Sequence, residues 1–183
     1  MKGDFSRVTF NPRKHYNRVL MQQGRVQLDA DWNEWVDITD RRWRAETVDI
    51  LGRCAVPESN SEAFKITDPD PAAKGSFNIG IGRMYVDGLL VECHGSNPQD
   101  DALREFDPNL GEWQGTKPVA YGEQLYYPKP AAITPPTTGR TDLVYIDVWQ
   151  REITVIEDPD IREKALEGPD TTTRLQTVWQ VKV

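Results

Sequence analysis

The sequence predicts an α+β fold, with an N-terminal arm and one long helix packed on an antiparallel β-sandwich or barrel. Three observations carry this. One helical periodicity runs from Trp32 to Ile50, an Asp-Gly pair at 87–88 separates two apolar runs, and the other apolar runs are short and divided by Pro- and Gly-rich breaks. The division falls near Arg53: residues 1–53 form an arm and helix, read as an attachment element, and residues 54–183 form a β-rich domain. The chain stops inside an apolar strand pattern, so two readings stand: a domain that ends there, or one continuing past Val183.

The helix is the best-marked element. Asp31 with Glu34 three residues later reads as a capping pair, and an Asp-rich first turn suits the positive end of the helix dipole. Trp32, Val36, Thr39, Trp43, Thr47 and Ile50 recur at spacings of three and four, which places them on one stripe. Asp37/Arg41, Asp40/Arg44 and Asp49/Arg53 stand at i,i+4, where opposite charges meet, and Gly52 supplies a stop.

The strands follow. Phe64–Thr67 and Phe77–Ile81 read as short strands around the prolines of Asp68-Pro69-Asp70-Pro71, which remove ladder donors. Arg83–Val86 and Leu89–Glu92 flank Asp87-Gly88, the strongest short hairpin signal. Residues 95–118 read as a long surface loop, Leu125–Tyr127 as a further strand, and Pro128–Arg140 as a linker or exposed excursion. Leu143–Trp149 and Glu152–Ile156 suggest a second hairpin across the break at Gln150-Arg151. Asp158–Leu166 reads as a short helix, capped by Asp158 with Pro159 at its first position, and Leu175–Val183 as a final strand.

Composition narrows the function. The net charge of −7 argues against general nucleic-acid binding, because phosphate attraction needs a cationic surface. The charge is uneven: residues 1–28 carry Lys2, Arg7, Arg13, Lys14, Arg18 and Arg25 against Asp4 alone, and residues 29–40 carry Asp29, Asp31, Glu34, Asp37 and Asp40 with no base. Such a juxtaposition reads either as a partner-binding device or as local charge pairing. Met1–Phe5 lacks the apolar run of a secretion signal, and no run of about 18 apolar residues occurs, so a protein made in the cytoplasm and not inserted in a membrane is expected. Cys54 and Cys93 are the only cysteines, too few for a disulfide framework, although one bridge between them stays open.

No chemistry stands out, and the sequence predicts no catalytic residue, cofactor or metal. Asp29-Ala30-Asp31-Trp32-Asn33 has the opening spacing of a calcium loop, but Glu34 and Asp40 occupy the places where that loop needs Gly and Glu. Cys93-His94 has no Cys-x-x-Cys companion for zinc. His15 and His94 lie near no Gly-x-Ser-x-Gly elbow, and Gly80-Ile81-Gly82 lacks the further Gly of a phosphate loop and reads as a hairpin approach. Nothing singles out two carboxylates for glycoside hydrolysis. Trp32 and Trp43 read as core fillers, whereas Trp35, at the stripe edge among polar neighbours, is the tryptophan placed to face a partner.

The block Phe10–Glu34, FNPRKHYNRVLMQQGRVQLDADWNE, resembles the N-terminal domain of an uncharacterised family encoded beside phage-tail-like contractile injection systems. Tyr16, Val19-Leu20, Gly24-Arg25, Gln27 and Asn33-Glu34 are the positions that also resemble the start of phage tail and baseplate-associated proteins. Leu143–Glu157, Asp158–Leu166, Gly168–Thr171 and Thr177–Val181 are similar to the same family's later segment, with a weaker match over Tyr85–Glu92. The resemblance implies a structural role beside other particle subunits, baseplate, hub or fibre proteins, in a multi-copy symmetric assembly, and no reaction.

Physically, Pro12 sets an extended approach, Tyr16, Val19 and Leu20 are shaped to anchor in a groove, and Gly24 permits a reversal at positive φ. Arg25 and Gln27 are placed to reach Asp29 or Asp31. The expected subunit-contact residues are therefore Tyr16, Val19, Leu20, Arg25 and Trp35. Whether the block packs on its own β-domain or on a neighbouring subunit stays open at this point. The competing function is a carbohydrate- or surface-binding β-module using Trp113, Tyr121, Tyr126 or Tyr127, or the N-terminal part of a polysaccharide-degrading enzyme.

Overall fold

A computed structural model describes residues 3–68, 75–95, 117–134, 139–166 and 168–183. It has one α-helix and eight strands among those residues, arranged in three small antiparallel sheets, so the α+β class is observed with mostly sheet and neither a closed barrel nor a sandwich. The chain divides into two compact units, residues 1–52 with 151–176, and residues 53–150 with 177–183.

In the first unit, helix α1 spans Asp29–Leu51. It starts two residues before the expected capping pair: Leu28 is the N-cap, and Asp31 reaches back so that its carboxylate accepts the Leu28 N–H at 3.4 Å. Glu34 is drawn off to accept the Thr9 hydroxyl at 2.5 Å. Gly52 ends the helix as expected, at φ 85, donating its N–H to the Val48 carbonyl at 2.9 Å. Of the expected ion pairs only Asp40–Arg44 forms, at 4.0 Å; Arg42–Glu46 closes at 2.7 Å instead. The segment that should have been a short helix is two 3-10 turns, Pro159–Ile161 and Lys164–Leu166, the first capped by Asp158 as expected.

In the second unit, β1 (Cys54–Ala55), β4 (Gly82–Val86) and β5 (Leu89–Cys93) form one sheet in the order β1-β4-β5. The β4-β5 hairpin turns at Asp87 and Gly88, both at positive φ (49 and 80), which is the geometry an Asp-Gly turn supplies. A second sheet orders β2 (Ile66–Thr67), β3 (Asn78–Ile79) and β6 (Val119–Ala120) as β2-β3-β6. The expected strand at Leu125–Tyr127 is not there: a 3-10 turn at Tyr121–Glu123 and a further turn take its place, and β6 lies just upstream. Strand β7 (Tyr145–Ile153) runs straight through Gln150 and Arg151, where a hairpin break was expected, and pairs with β8 (Arg174–Lys182). In the first unit, where β7 ends and β8 begins, Arg151 donates to the Gln176 amide oxygen at 2.9 Å, so Arg151 makes a cross-strand contact and not a turn.

The core lies in the second unit. Phe77, Ile79, Met84, Val91, Cys93, Val119, Tyr121, Trp179 and Val181 form one buried cluster. Alternation explains its membership: Met84 on β4 and Val91 and Cys93 on β5 point to the same face. Trp179 seals it, edge-on to Phe64 at 5.1 Å, with its indole N–H donated to the Glu92 carbonyl at 2.8 Å. Gly80-Ile81-Gly82 leads into the β4-β5 hairpin, Gly82 being the first residue of β4. Gly80 exchanges backbone hydrogen bonds with Phe64 and Lys65, both at 2.9 Å, and packs so closely on the Glu62 carbonyl that a side chain would overlap it. The loop 95–118 lies outside the described residues from 96 to 116, as do Pro69–Pro71 of the expected proline turn.

Candidate interaction surface

The arm begins on the helix and then leaves it. The Asp29 carboxylate accepts the Ser6 N–H at 2.9 Å and the Ser6 hydroxyl at 2.6 Å, which holds its pKa below the ordinary carboxylate value. Thr9 meets Glu34 one and a half turns further along. These two anchors lay residues 6–9 beside the first turns of α1. The Asn11 side chain then caps a 3-10 turn at Pro12–Lys14, and His15 in the left-handed region sends the chain away.

Residues 15–28 form no helix or strand. The reversal expected at Gly24 is present: its φ is 71, and the Arg25 N–H closes on the Gln22 carbonyl at 3.2 Å. The side chains here face outward. Tyr16 is 57% exposed and Leu20 75%, with Met21 and Val26 also exposed, while Val19 is half-buried. Lys14 lies 5.7 Å from the Tyr16 ring centre. Arg25 does not reach Asp29 or Asp31, whose carboxylates serve Ser6 and the Leu28 N–H.

The helix carries the larger surprise. Its stripe of Trp32, Val36, Trp43 and Ile50 exists as spaced, but it is not a core face: Trp43 is 66% exposed, Ile50 78%, and Trp32 about as exposed as Trp35. The buried positions are Ala30 and Ile38, on another side of the helix. Core packing of Trp32 and Trp43 is thus overturned, because helical spacing fixes which residues share a face and not which face is covered. Trp32 and Trp35 meet edge-to-face at 5.4 Å, so Trp35 belongs to an indole pair. Asp37, on the far side of the helix from this pair, has its carboxyl raised above the ordinary value, first by loss of water contact and then by repulsion from Asp40 and Glu34. No hydrogen bond, ion pair or ring contact among the described residues joins Trp35 to Tyr16, Val19, Leu20 or Arg25.

The second unit contains an open cleft of about 420 Å³, lined by Leu90, Glu92, His94, Leu125, Tyr126 and Trp179 among others. Cys93 also lines it, but burial pushes its thiol up to about 11, which leaves it a poor nucleophile. Tyr121, a candidate for sugar stacking, is buried against Phe77 at 4.8 Å, and Trp113 lies outside the described residues. Among the described residues no three His, Cys, Asp or Glu side chains group to hold a metal, and no helix is long and apolar enough to cross a membrane.

Sequence reasoning missed Ser6 and Thr9, whose hydroxyls tie the arm to the helix; their spacing of three gives no hint of partners more than twenty residues away. It also missed the exposure of the tryptophan stripe. A family model described as a family of unknown function, DUF6519, matches residues 1–111 and 130–183. No curated protein and no solved structure matches the chain.

Proposed function

The chain belongs to the DUF6519 family, whose function is unknown, and from that premise we propose that it is a structural attachment domain. It acts as a subunit or adaptor of a phage-tail-like contractile injection particle, at the baseplate or a fibre, and the arm-and-helix block is its docking element. The observation that supports this is the exposure of Tyr16, Leu20, Trp32, Trp35 and Trp43 within one contiguous stretch of chain. Scattered exposed apolar residues are ordinary, but aromatic and aliphatic anchors gathered in this way mark partner-binding surfaces. The resemblance of Phe10–Glu34 supplies the particle setting. The reading assigns no catalytic residue and no cofactor.

The test is retention of the purified chain by sheath, hub and baseplate proteins in a pull-down. Tyr16→Ala, Leu20→Ala and Trp35→Ala together lower retention at least about tenfold while leaving the circular dichroism unchanged. Equal retention of the triple variant, or none of the wild type, removes this reading.

A second reading rests on the cleft, where Tyr126 and Leu125 border Glu92 and Glu123, a mixture of apolar and acidic groups that suits a sugar. Glycan-array binding lost on Tyr126→Ala supports it, and a blank array ends it.

A further inference from the structure

We propose that the occupant of the exposed tryptophan stripe is the arm of a second copy of this chain, the two copies exchanging arms reciprocally. This rests on the reading of the block as an attachment element and names its partner.

Both halves of the contact are bare in the single chain, and they match. The stripe runs from Trp32 to Ile50, about 27 Å along the helix. Residues 16–22 of the arm, ahead of the Gly24 turn, reach roughly 20 Å when extended, enough to lie over the stripe from Trp32 to Trp43. Tyr16, Leu20, Met21 and Val26 supply the apolar side chains, all exposed. The charges are complementary: residues 16–26 carry Arg18 and Arg25 and no acid, and residues 29–40 of the helix carry five acids and no base. Among the described residues Arg7, Arg13, Arg18 and Arg25 make no ion pair, and neither does Asp37. Asp40, which stands one turn from both Val36 and Trp43, has only the distant Arg44 contact at 4.0 Å.

The sizes also fit. Three half-exposed indoles present roughly 300–400 Å². A copy that gives both a helix face and an arm thus approaches the about 800 Å² per partner of a stable interface. A reciprocal exchange covers both surfaces on both copies and closes on itself, as a two-fold contact requires. An arm folding onto its own helix would cover the stripe within one chain, and Trp43 and Ile50 show that it does not.

The experiment is sedimentation of the full chain over a range of concentration, using two charge-reversed variants. One carries Arg18→Glu and Arg25→Glu on the arm; the other carries Asp40→Arg on the helix, beside Val36 and Trp43. The wild type sediments as a dimer, each variant alone loses at least about tenfold in dimer affinity, and an equimolar mixture recovers it. Recovery in the mixture requires contact between chains and excludes pairing within one. Trp43→Ala weakens the wild-type dimer by a similar factor. A wild type that stays monomeric at high micromolar concentration, dimers indifferent to both reversals, or a mixture that fails to recover overturns the exchange. A monomeric wild type that particle proteins still retain through Tyr16, Leu20 and Trp35 sinks the exchange alone and leaves the attachment function standing.

Discussion

The side-chain amide of Gln124 pairs with both backbone groups of Val181: its oxygen accepts the Val181 N–H at 2.6 Å, and its nitrogen donates to the Val181 carbonyl at 3.0 Å. The same nitrogen also donates to the Tyr121 carbonyl at 3.0 Å. Gln124 is thus a one-residue stand-in for a neighbouring strand on the edge of β8, and among the described residues it is the one fully buried polar residue. Gln124→Leu keeps the volume but leaves a buried N–H and a buried carbonyl without partners. Each such loss costs about 1–3 kcal/mol, so urea denaturation should give a stability lower by roughly 2–6 kcal/mol. A change below about 0.5 kcal/mol would mean that water reaches Val181 and that the pairing does not matter.

Gly80 and Gly122 offer a matched comparison. A methyl group at Gly80 would overlap the Glu62 carbonyl, which is backbone and cannot swing aside, whereas one at Gly122 meets nothing within 4 Å. Gly80→Ala should cost about 1–3 kcal/mol as the 62–65 turn is pushed off β3. Gly122→Ala should stay within about 0.5 kcal/mol. Thermal melts of the two variants side by side check this, and equal melting points would refute the close packing at Gly80.

Which parts of this fold were legible follows from the range over which their causes act. The Asp87-Gly88 hairpin, the Gly24 reversal and the Gly52 stop depend on backbone sterics at one or two residues, so their residue types announce them. The helix is legible for a similar reason, since its period is a local property. Gln124 was invisible because its partner lies 57 residues away. Gln150-Arg151 read as a break because polar residues suggest a turn, but Gln176 on β8 gives Arg151 a partner and the strand continues. The candidate surface was half legible. Tyr16, Leu20 and Trp35 were picked out and are exposed, yet Trp32 and Trp43 were assigned to the core, because spacing defines a stripe and only the rest of the molecule decides what covers it.

The two cysteines should behave differently. The sheet register sets Cys54 opposite Val86 and Cys93 opposite Gly82, at the two ends of β4. Four residues along β4 and two strand spacings across it separate them by roughly 16 Å, too far for a disulfide. Both are free; Cys54 is exposed and Cys93 buried. With its thiol pushed up to about 11, Cys93 holds only about one part in a thousand of thiolate at pH 8. A thiol-specific reagent should therefore titrate one cysteine in the native chain and two in denaturant. Two fast-reacting thiols in the native state would contradict the burial of Cys93.

Asp37 gives a pH dependence whose sign is fixed. Its carboxyl sits above the ordinary value of 3.8, first through loss of water contact and then through Asp40 and Glu34. The folded chain therefore binds a proton more readily than the unfolded chain there, so stability falls as pH rises from about 3.8 through the raised folded value. Above that window the charged carboxylate is a standing destabilisation of the helix surface. Asp37→Asn removes it while keeping the shape, so the variant should melt at a higher temperature than the wild type at pH 7. As pH falls below the ordinary carboxylate value both chains carry a neutral group at this position, and the difference should close. The melts belong at low protein concentration, where any arm from a second copy has dissociated. A variant that melts below the wild type at pH 7 in dilute solution would show that Asp37 is stabilised by a partner within its own chain.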